Sequence, residues 1–157
     1  MHGNQQSKET KNRIEMTEWF ECKCAYDKMK EDGTMKPVKG ETYLVHAFSC
    51  SEAEARMVEE MKHVVSGEFQ VTDIKSAKYA EMFFATEDAA DTFFKIKLAF
   101  ITLDEKSGAE KKTKQDVLVQ ASDLQDAVNR LGEGMKGSMM DYTIAAVNES
   151  PYFDVFR

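Results

Sequence analysis

The sequence predicts an internally duplicated α+β fold in which one β-β-α-β unit occurs twice. A shift of 74 residues aligns Trp19–Lys23 with Phe93–Lys97 and Tyr43–Ala47 with Val117–Ala121. One residue is then dropped near Gly67, and the two copies continue to match. A repeat of this size does not usually cover its own apolar face, so we expect the two copies to pack as one domain.

A β-hairpin is predicted at the start of each repeat. Apolar side chains alternate with polar or small ones from Phe20 to Tyr26 and from Phe94 to Phe100, which is the period-2 pattern of a half-buried strand. Glu31-Asp32-Gly33 and Lys106-Ser107-Gly108 supply turn residues after these strands. A second strand follows each turn, so the repeats open in the same way.

A helix and a third strand complete each predicted unit. Ser49 and Asp123 precede acidic residues by three positions, a spacing typical of helix N-termini. Apolar residues then recur at helical spacing and predict buried stripes. They are Ala53, Met57 and Met61 in the first helix and Ala127, Leu131 and Met135 in the second. The third strands are predicted over residues 69–75 and 142–148.

The simplest assembly of these elements is one antiparallel sheet of about six strands, with both helices on one face and a pseudo-twofold axis between the halves. Residues 1–17 lack apolar periodicity and predict a disordered lead-in. Residues 18–157 are then expected to form a single domain, made of repeats 19–83 and 93–156 joined by residues 84–92.

Two short aromatic segments follow the third strands, Tyr79–Phe83 and Tyr152–Phe156. The second resembles a recruiting tail, but the first lies inside the chain, where a free tail is impossible. We therefore expect both to dock in equivalent positions, either as short edge strands or as arms crossing to the other half. The rings of Phe83 and Phe156 should then be buried.

Composition indicates an ordinary globular protein. It is 42% hydrophobic and 31% charged, and no apolar run approaches the roughly 20 residues of a membrane span. We expect no membrane partner and a cytoplasmic location, because the start of the chain lacks the apolar region of a secretory signal. The net charge of −7 argues against nonspecific coating of nucleic acid.

A family resemblance covers nearly everything from Trp19 to Phe156. The chain resembles a small uncharacterised family found in Bacteroidota and in phage-like genomes, which bears a domain-of-unknown-function label. The resembling segments are Trp19–Lys23, Ser51–Arg56, Ser66–Phe69, Val71–Lys75 and Phe100–Gly108. The resemblance implies no activity and no catalytic residues. In topology the duplicated unit is also similar to the PUR and Whirly single-strand-binding folds, by fold-level analogy only.

No catalytic group, metal site or cofactor is predicted. Cys22 and Cys24 lie two apart on a strand and so share one face with Phe20 and Tyr26, which favours buried thiols over zinc ligands. Cys50 could pair with a histidine as a nucleophile, yet its counterpart in the second repeat is Leu124, which favours burial. We therefore expect the protein not to be an enzyme.

One constellation suggests a binding function. Lys23, Lys95 and Lys97, with Trp19 and Phe93 at the strand starts, should project from the sheet face opposite the helices. Cations that follow phosphates beside aromatic rings that stack bases are the ingredients of single-strand binding. The leading hypothesis is therefore weak binding of single-stranded DNA or RNA. The alternative is a protein-interaction or homo-oligomeric assembly module, whose sheet face or edge strand pairs with a second copy or another protein.

Overall fold

A computed structural model describes residues 18–157, and the predicted lead-in over residues 1–17 lies outside them. Ten elements occur within the described residues. In chain order they are β1 (Glu18–Met29), β2 (Met35–Ala47), α1 (Cys50–Met61), β3 (Phe69–Ala77), β4 (Glu81–Phe83), β5 (Thr92–Leu103), β6 (Glu110–Ala121), α2 (Leu124–Gly134), β7 (Asp141–Glu149) and β8 (Tyr152–Phe156).

The described chain divides into two compact units. Unit 1 comprises residues 18–77 with Tyr152–Arg157, and unit 2 comprises Lys78–Pro151. Each contains one four-stranded sheet, with the order β3-β1-β2-β8 in unit 1 and β4-β6-β5-β7 in unit 2. Read from opposite ends, the two orders are the same. The third strand, the first strand, the second strand and a short parallel strand follow one another in both.

Unit 1 is held by an apolar core between α1 and its sheet. Phe20, Cys22 and Cys24 of β1 pack with Tyr43 and Val45 of β2. The helix contributes Ala53, Met57 and Met61. These are the alternate positions of the strands and the predicted stripe of the helix, so the period-2 and period-3.6 patterns together specify this core.

Unit 2 repeats the arrangement with more aliphatic side chains. Phe94, Ile96, Leu98 and Phe100 of β5 form its core with Val117 and Val119 of β6. Ala127 and Leu131 of α2 cover them. The helix N-termini are capped as expected: Ser49 Oγ accepts from Glu52 N at 3.2 Å, and Asp123 Oδ1 accepts from Asp126 N at 2.7 Å.

The expected single antiparallel sheet of about six strands, with both helices on one face, is wrong. There are two mixed four-stranded sheets over residues 18–157, and each is covered by its own helix. The physical reason is that each helix buries its apolar stripe against the strands of its own unit, which closes two separate cores. Side-chain alternation identifies a strand and its buried face but does not name its neighbour in the sheet.

The short aromatic segments account for the mixed character of both sheets. β4 pairs in parallel with β6, and β8 pairs in parallel with β2. The prediction that both segments dock as short edge strands is confirmed. β4 follows β3 in the chain but docks on the sheet of unit 2, and β8 follows β7 but docks on the sheet of unit 1. This is the crossing that the arm alternative proposed. Phe83 and Phe156 are half-buried.

Candidate functional site

The five residues of the predicted binding face are divided between the two units. Trp19 and Lys23 lie on β1 of unit 1, whereas Phe93, Lys95 and Lys97 lie on β5 of unit 2. All five occupy strand positions that alternate with the core residues, so they belong to the face of each sheet opposite its helix.

Lys23 and Lys97 are exposed at matching places in the two sheets. Lys23 stands opposite Thr42 on one side and Asp73 on the other. Lys97 stands opposite Asp116 and Ala146. Each lysine therefore has one acidic cross-strand neighbour, which lowers the positive potential that it offers to a phosphate.

The aromatic members of the predicted face are less accessible. Trp19 is half-buried and stacks on His46 with ring centroids 4.8 Å apart. Lys95 lies with its ammonium 5.7 Å from the centroid of the Tyr79 ring. Phe93 is only 5% exposed, so its ring is not presented to solvent as an open stacking platform. The sequence could not reveal this, because alternation gives a residue's face but not what covers it.

A carboxylate with two tyrosines is a feature of unit 1 that sequence reasoning missed. The hydroxyls of Tyr26 and Tyr43 both donate to the Glu41 carboxylate, the former at 3.0 Å. Burial, followed by the hydrogen bond to Glu41, raises the pKa of Tyr26 to about 12 and raises the pKa of Tyr43 further. Both phenols thus stay neutral donors at neutral pH and fix the Glu41 side chain.

Unit 2 has no such cluster at the matched positions, meaning the positions aligned by the shift of 74 residues, or of 73 after Gly67. Phe100, Gln115 and Val117 replace Tyr26, Glu41 and Tyr43 there. The thiols follow the same trend, since Ile96 and Leu98 replace Cys22 and Cys24.

The prediction that Cys22 and Cys24 are buried is confirmed. Burial raises the pKa of the Cys22 thiol to about 12 and that of Cys24 to about 11, so neither is a thiolate at neutral pH. Cys50 is exposed, contrary to the burial favoured for it. Within residues 18–157, no group of three or more histidine, cysteine or acidic residues is arranged to hold a metal ion.

A cleft of about 460 Å³ opens in unit 2 beside the C-terminal end of α2. Its apolar walls are side chains from four parts of the unit, namely Phe83, Phe100, Met135 and Met140. Gln115 and Lys136 add polar groups, and Gly134 lies directly against the Phe83 ring. A Cβ at Gly134 would come within 2.6 Å of that ring, so any other residue there would displace the Phe83 ring from its present position.

The outer edges of the two sheets differ in charge. β3 and β7 are the edge strands formed by the third strand of each unit, and each has nine residues. β3 has Asp73 and Lys75 in its central part, with Lys75 Nζ 3.8 Å from Asp73 Oδ2. In β7 the whole run from Tyr142 to Asn148 is uncharged. Charged residues on an edge strand discourage pairing with another chain, so the centre of β3 is protected in this way, whereas the charges of β7 lie only at its ends, Asp141 and Glu149.

A protein-family model described as "Domain of unknown function (DUF4494)" matches residues 18–157. The chain belongs to the DUF4494 family. This match covers both units and agrees with the domain-of-unknown-function resemblance. The expected occurrence in Bacteroidota and phage-like genomes, and the similarity to PUR and Whirly folds, stay predictions.

No curated protein and no solved structure matches this DUF4494 chain. Among the helices of residues 18–157, none is long and apolar enough to span a membrane.

Proposed function

We propose that this DUF4494 protein is a non-enzymatic assembly module that pairs with a second copy of itself through the edge strand β7. The observation that carries the proposal is the uncharged central run of β7, Tyr142 to Asn148, set against the charges of Asp73 and Lys75 in the centre of β3. Exposed edge strands present unpaired N–H and C=O groups, which are a template for strand addition.

The composition of β7 favours another strand as its occupant. Thr143, Ile144 and Ala145 are exposed, and Ile144 keeps 41% of its surface accessible although its matched residue Val71 packs on the core of unit 1. Small and β-branched side chains of this kind suit a pleated neighbour. Every copy carries the same edge, so two copies can pair in an isologous, two-fold manner. No charged side chain then lies in the central run of either strand.

A β-bulge does not distinguish the two edges. The register of β3 against β1 skips Thr72, and the register of β7 against β5 skips Ala145, at matched positions. A bulge blunts an edge locally and leaves the residues on either side available. The difference between the edges therefore lies in charge, at Asp73 and Lys75 against Ala146 and Asn148.

We infer further that the two units derive from a duplication and have diverged in function. The same strand order, the same bulge position and the same helix capping support this inference. Under it, unit 1 has kept a protected edge, and unit 2 presents an edge suited to assembly.

Transplanting the charges of one edge onto the other tests the proposal. The variant Ala146→Asp/Asn148→Lys gives β7 the residues of β3, leaves the net charge unchanged, and places an aspartate opposite Lys97 as Asp73 stands opposite Lys23. Sedimentation equilibrium at micromolar to millimolar concentrations should show the wild type approaching twice its 17.9 kDa mass. The dissociation constant of the variant dimer should be at least about tenfold larger than that of the wild type, which corresponds to about 1.4 kcal/mol of association free energy.

The matched control is Asp73→Ala/Lys75→Asn, which removes the charges from β3 and leaves β7 intact. It should associate as strongly as the wild type or more strongly. A wild type that stays monomeric throughout, or a β7 variant that associates unchanged, would contradict the proposal.

A second candidate function is weak binding of single-stranded nucleic acid, and the exposure of Lys23 and Lys97 favours it. Three further exposed lysines on β6 support it, Lys111, Lys112 and Lys114. Sizing with and without an oligo-dT probe separates the two candidates. On this candidate, Lys97→Gln should reduce the slope of log affinity against log salt by about 1. No complex at low salt would exclude it.

A further inference from the structure

The cleft of unit 2 lies where unit 1 places aromatic rings of its own. Three matched positions carry large side chains in unit 1 and small ones in unit 2. Tyr43, Phe153 and Glu60 correspond to Val117, Ala80 and Gly134. Ala80 and Gly134 line the cleft, and Val117 is buried in the core beside it.

The packing in unit 1 shows what such a space accepts. The Tyr43 ring stacks on Phe156 with centroids 5.3 Å apart and planes 9° from parallel. Phe153 also packs on Tyr43, with centroids 5.6 Å apart and planes tilted by 59°. Offset stacks and tilted pairs of these dimensions are favourable beyond their burial alone. In unit 1 a run of three rings thus occupies the region, although Phe153, the outermost of them, is 65% exposed.

In unit 2 this run is reduced to one ring. Phe83 corresponds to Phe156 of unit 1. Val117 replaces Tyr43, so Phe83 has no ring on which to stack, and Ala80 replaces Phe153, so the third ring is missing as well. Phe83 packs against the backbone of Gly134 instead. Its ring remains part of the cleft wall, with Phe100 and the thioethers of Met135 and Met140 around the same space.

We propose that this cleft binds an aromatic side chain presented by another polypeptide. The ring would take the place that Tyr43 and Phe153 have in unit 1, against Phe83 and Phe100. Methionine sulfur beside a ring edge is a further favourable contact, and Met135 and Met140 are placed to make it. The size of the cleft is within the range of sites that enclose small groups.

An extended polypeptide is the source that the surroundings of the cleft favour. The strand β4, which supplies Glu81 and Phe83 to the wall, is an edge strand of its sheet. In unit 1 the corresponding ring, Phe153, is itself presented from a strand, β8. A peptide strand could thus use backbone hydrogen bonds at the sheet edge while one of its aromatic side chains enters the cleft. The proposal does not depend on pairing through β7.

Methyl-labelled methionine provides a reporter in each unit. NMR of the full chain would follow the methyl signals of Met135 and Met140 while N-acetyl-phenylalaninamide is added, with Met57 and Met61 of unit 1 as internal references. Ring-current shifts should appear at Met135 and Met140 and be absent at Met57 and Met61. N-acetyl-leucinamide should produce much smaller shifts. Equal shifts with both compounds, or none with either, would overturn the proposal.

Variants and a peptide probe make the test specific. Ala80→Phe, which restores the residue that unit 1 has, should lower the affinity at least about tenfold. Gln125→Phe, on the exposed face of α2, should leave it unchanged, and dispersed backbone amide signals of β5 and β6 verify that unit 2 is folded in each variant. A blocked Ala-Ala-Phe-Ala-Ala peptide should bind more tightly than the single amino acid. Equal affinities would contradict a polypeptide source, and unchanged binding by Ala80→Phe would place the ring elsewhere.

Discussion

Units 1 and 2 have the same strand order, yet they satisfy their side chains in different ways. Unit 1 encloses ionisable groups in its core and places three rings in its helix-end region. Unit 2 has a core of aliphatic and phenylalanine side chains, an open cleft and an edge strand with an uncharged central run. The comparison teaches that one topology can carry a run of rings at its helix end in one unit and an open cleft there in the other.

The two units also differ in the charge that contacts the tyrosine of each short aromatic segment. In unit 1, the Tyr152 hydroxyl donates to Glu21. At the matched positions of unit 2, Lys95 lies over the Tyr79 ring. A tyrosine thus anchors each segment, through its hydroxyl to an anion in one unit and through its ring face to a cation in the other.

The largest expected effect comes from removing residues 152–157, which deprives unit 1 of β8 while unit 2 keeps β4. Tyr152 is buried, Phe156 is half-buried, and Arg56 donates to the Arg157 carbonyl at 2.9 Å. Returning two such rings to water should lower the free energy of unfolding by about 3 to 6 kcal/mol. Urea denaturation measures it. A truncated chain with an unchanged midpoint would mean that β8 contributes nothing to unit 1.

Truncation of the matched core residues should have the next largest effect. Met57→Ala and Leu131→Ala each remove a side chain that is at most 1% exposed under its helix. We expect each variant to lose about 2 to 5 kcal/mol of its free energy of unfolding. Both substitutions remove a buried side chain from the apolar core and leave a cavity of similar size. The same denaturation experiment checks both. If only one of the two variants lost less than about 1 kcal/mol of its free energy of unfolding, the two positions would not be equivalent core sites.

The last expected effect is a difference in alkaline stability. The pKa values of Cys22, Cys24 and Tyr26 are raised by burial in folded unit 1, whereas Ile96, Leu98 and Phe100 of unit 2 do not titrate. A group whose folded pKa is raised stabilises fully below its unfolded pKa, and that stability is lost as the pH rises to the folded value. Stability of unit 1 should therefore decline from about pH 9 to about pH 12.

The methionine methyl signals can assign this loss to a unit. Met57 and Met61 should broaden or shift at a lower pH than Met135. Tyr26→Phe, which installs the residue of unit 2, should move the loss of unit 1 to higher pH. Simultaneous loss of both sets of signals in the wild type and the variant would show that the ionisable core of unit 1 is not the cause.

Local features of the fold could be predicted from the sequence because they depend on neighbouring residues. Alternation from Phe94 to Phe100 identified β5 and its buried side. Ser49 and Asp123 marked the helix starts. The partition into two sheets could not be predicted. The parallel pairing of β4 with β6, and of β8 with β2, joins segments far apart in the chain, where no short-range pattern applies.

The candidate sites show the same limit. The sequence placed Lys23 and Lys97 correctly on one face of their strands, but it did not reveal that Phe93 is covered. The cleft of unit 2 was also missed, although the signal was present in the repeat alignment. Val117 and Ala80, set against Tyr43 and Phe153, already showed two rings replaced by small side chains.

Amide hydrogen exchange of β7 against β3 tests most directly whether unit 2 has the assembling edge. Outward-facing amides of both edge strands would be followed by NMR at increasing protein concentration. Pairing of copies through β7 predicts that exchange from Tyr142 to Asn148 slows as the concentration rises, while exchange from Gln70 to Ser76 is unchanged. Exchange in β7 that is independent of concentration, or slowing that is equal in both strands, would contradict the account.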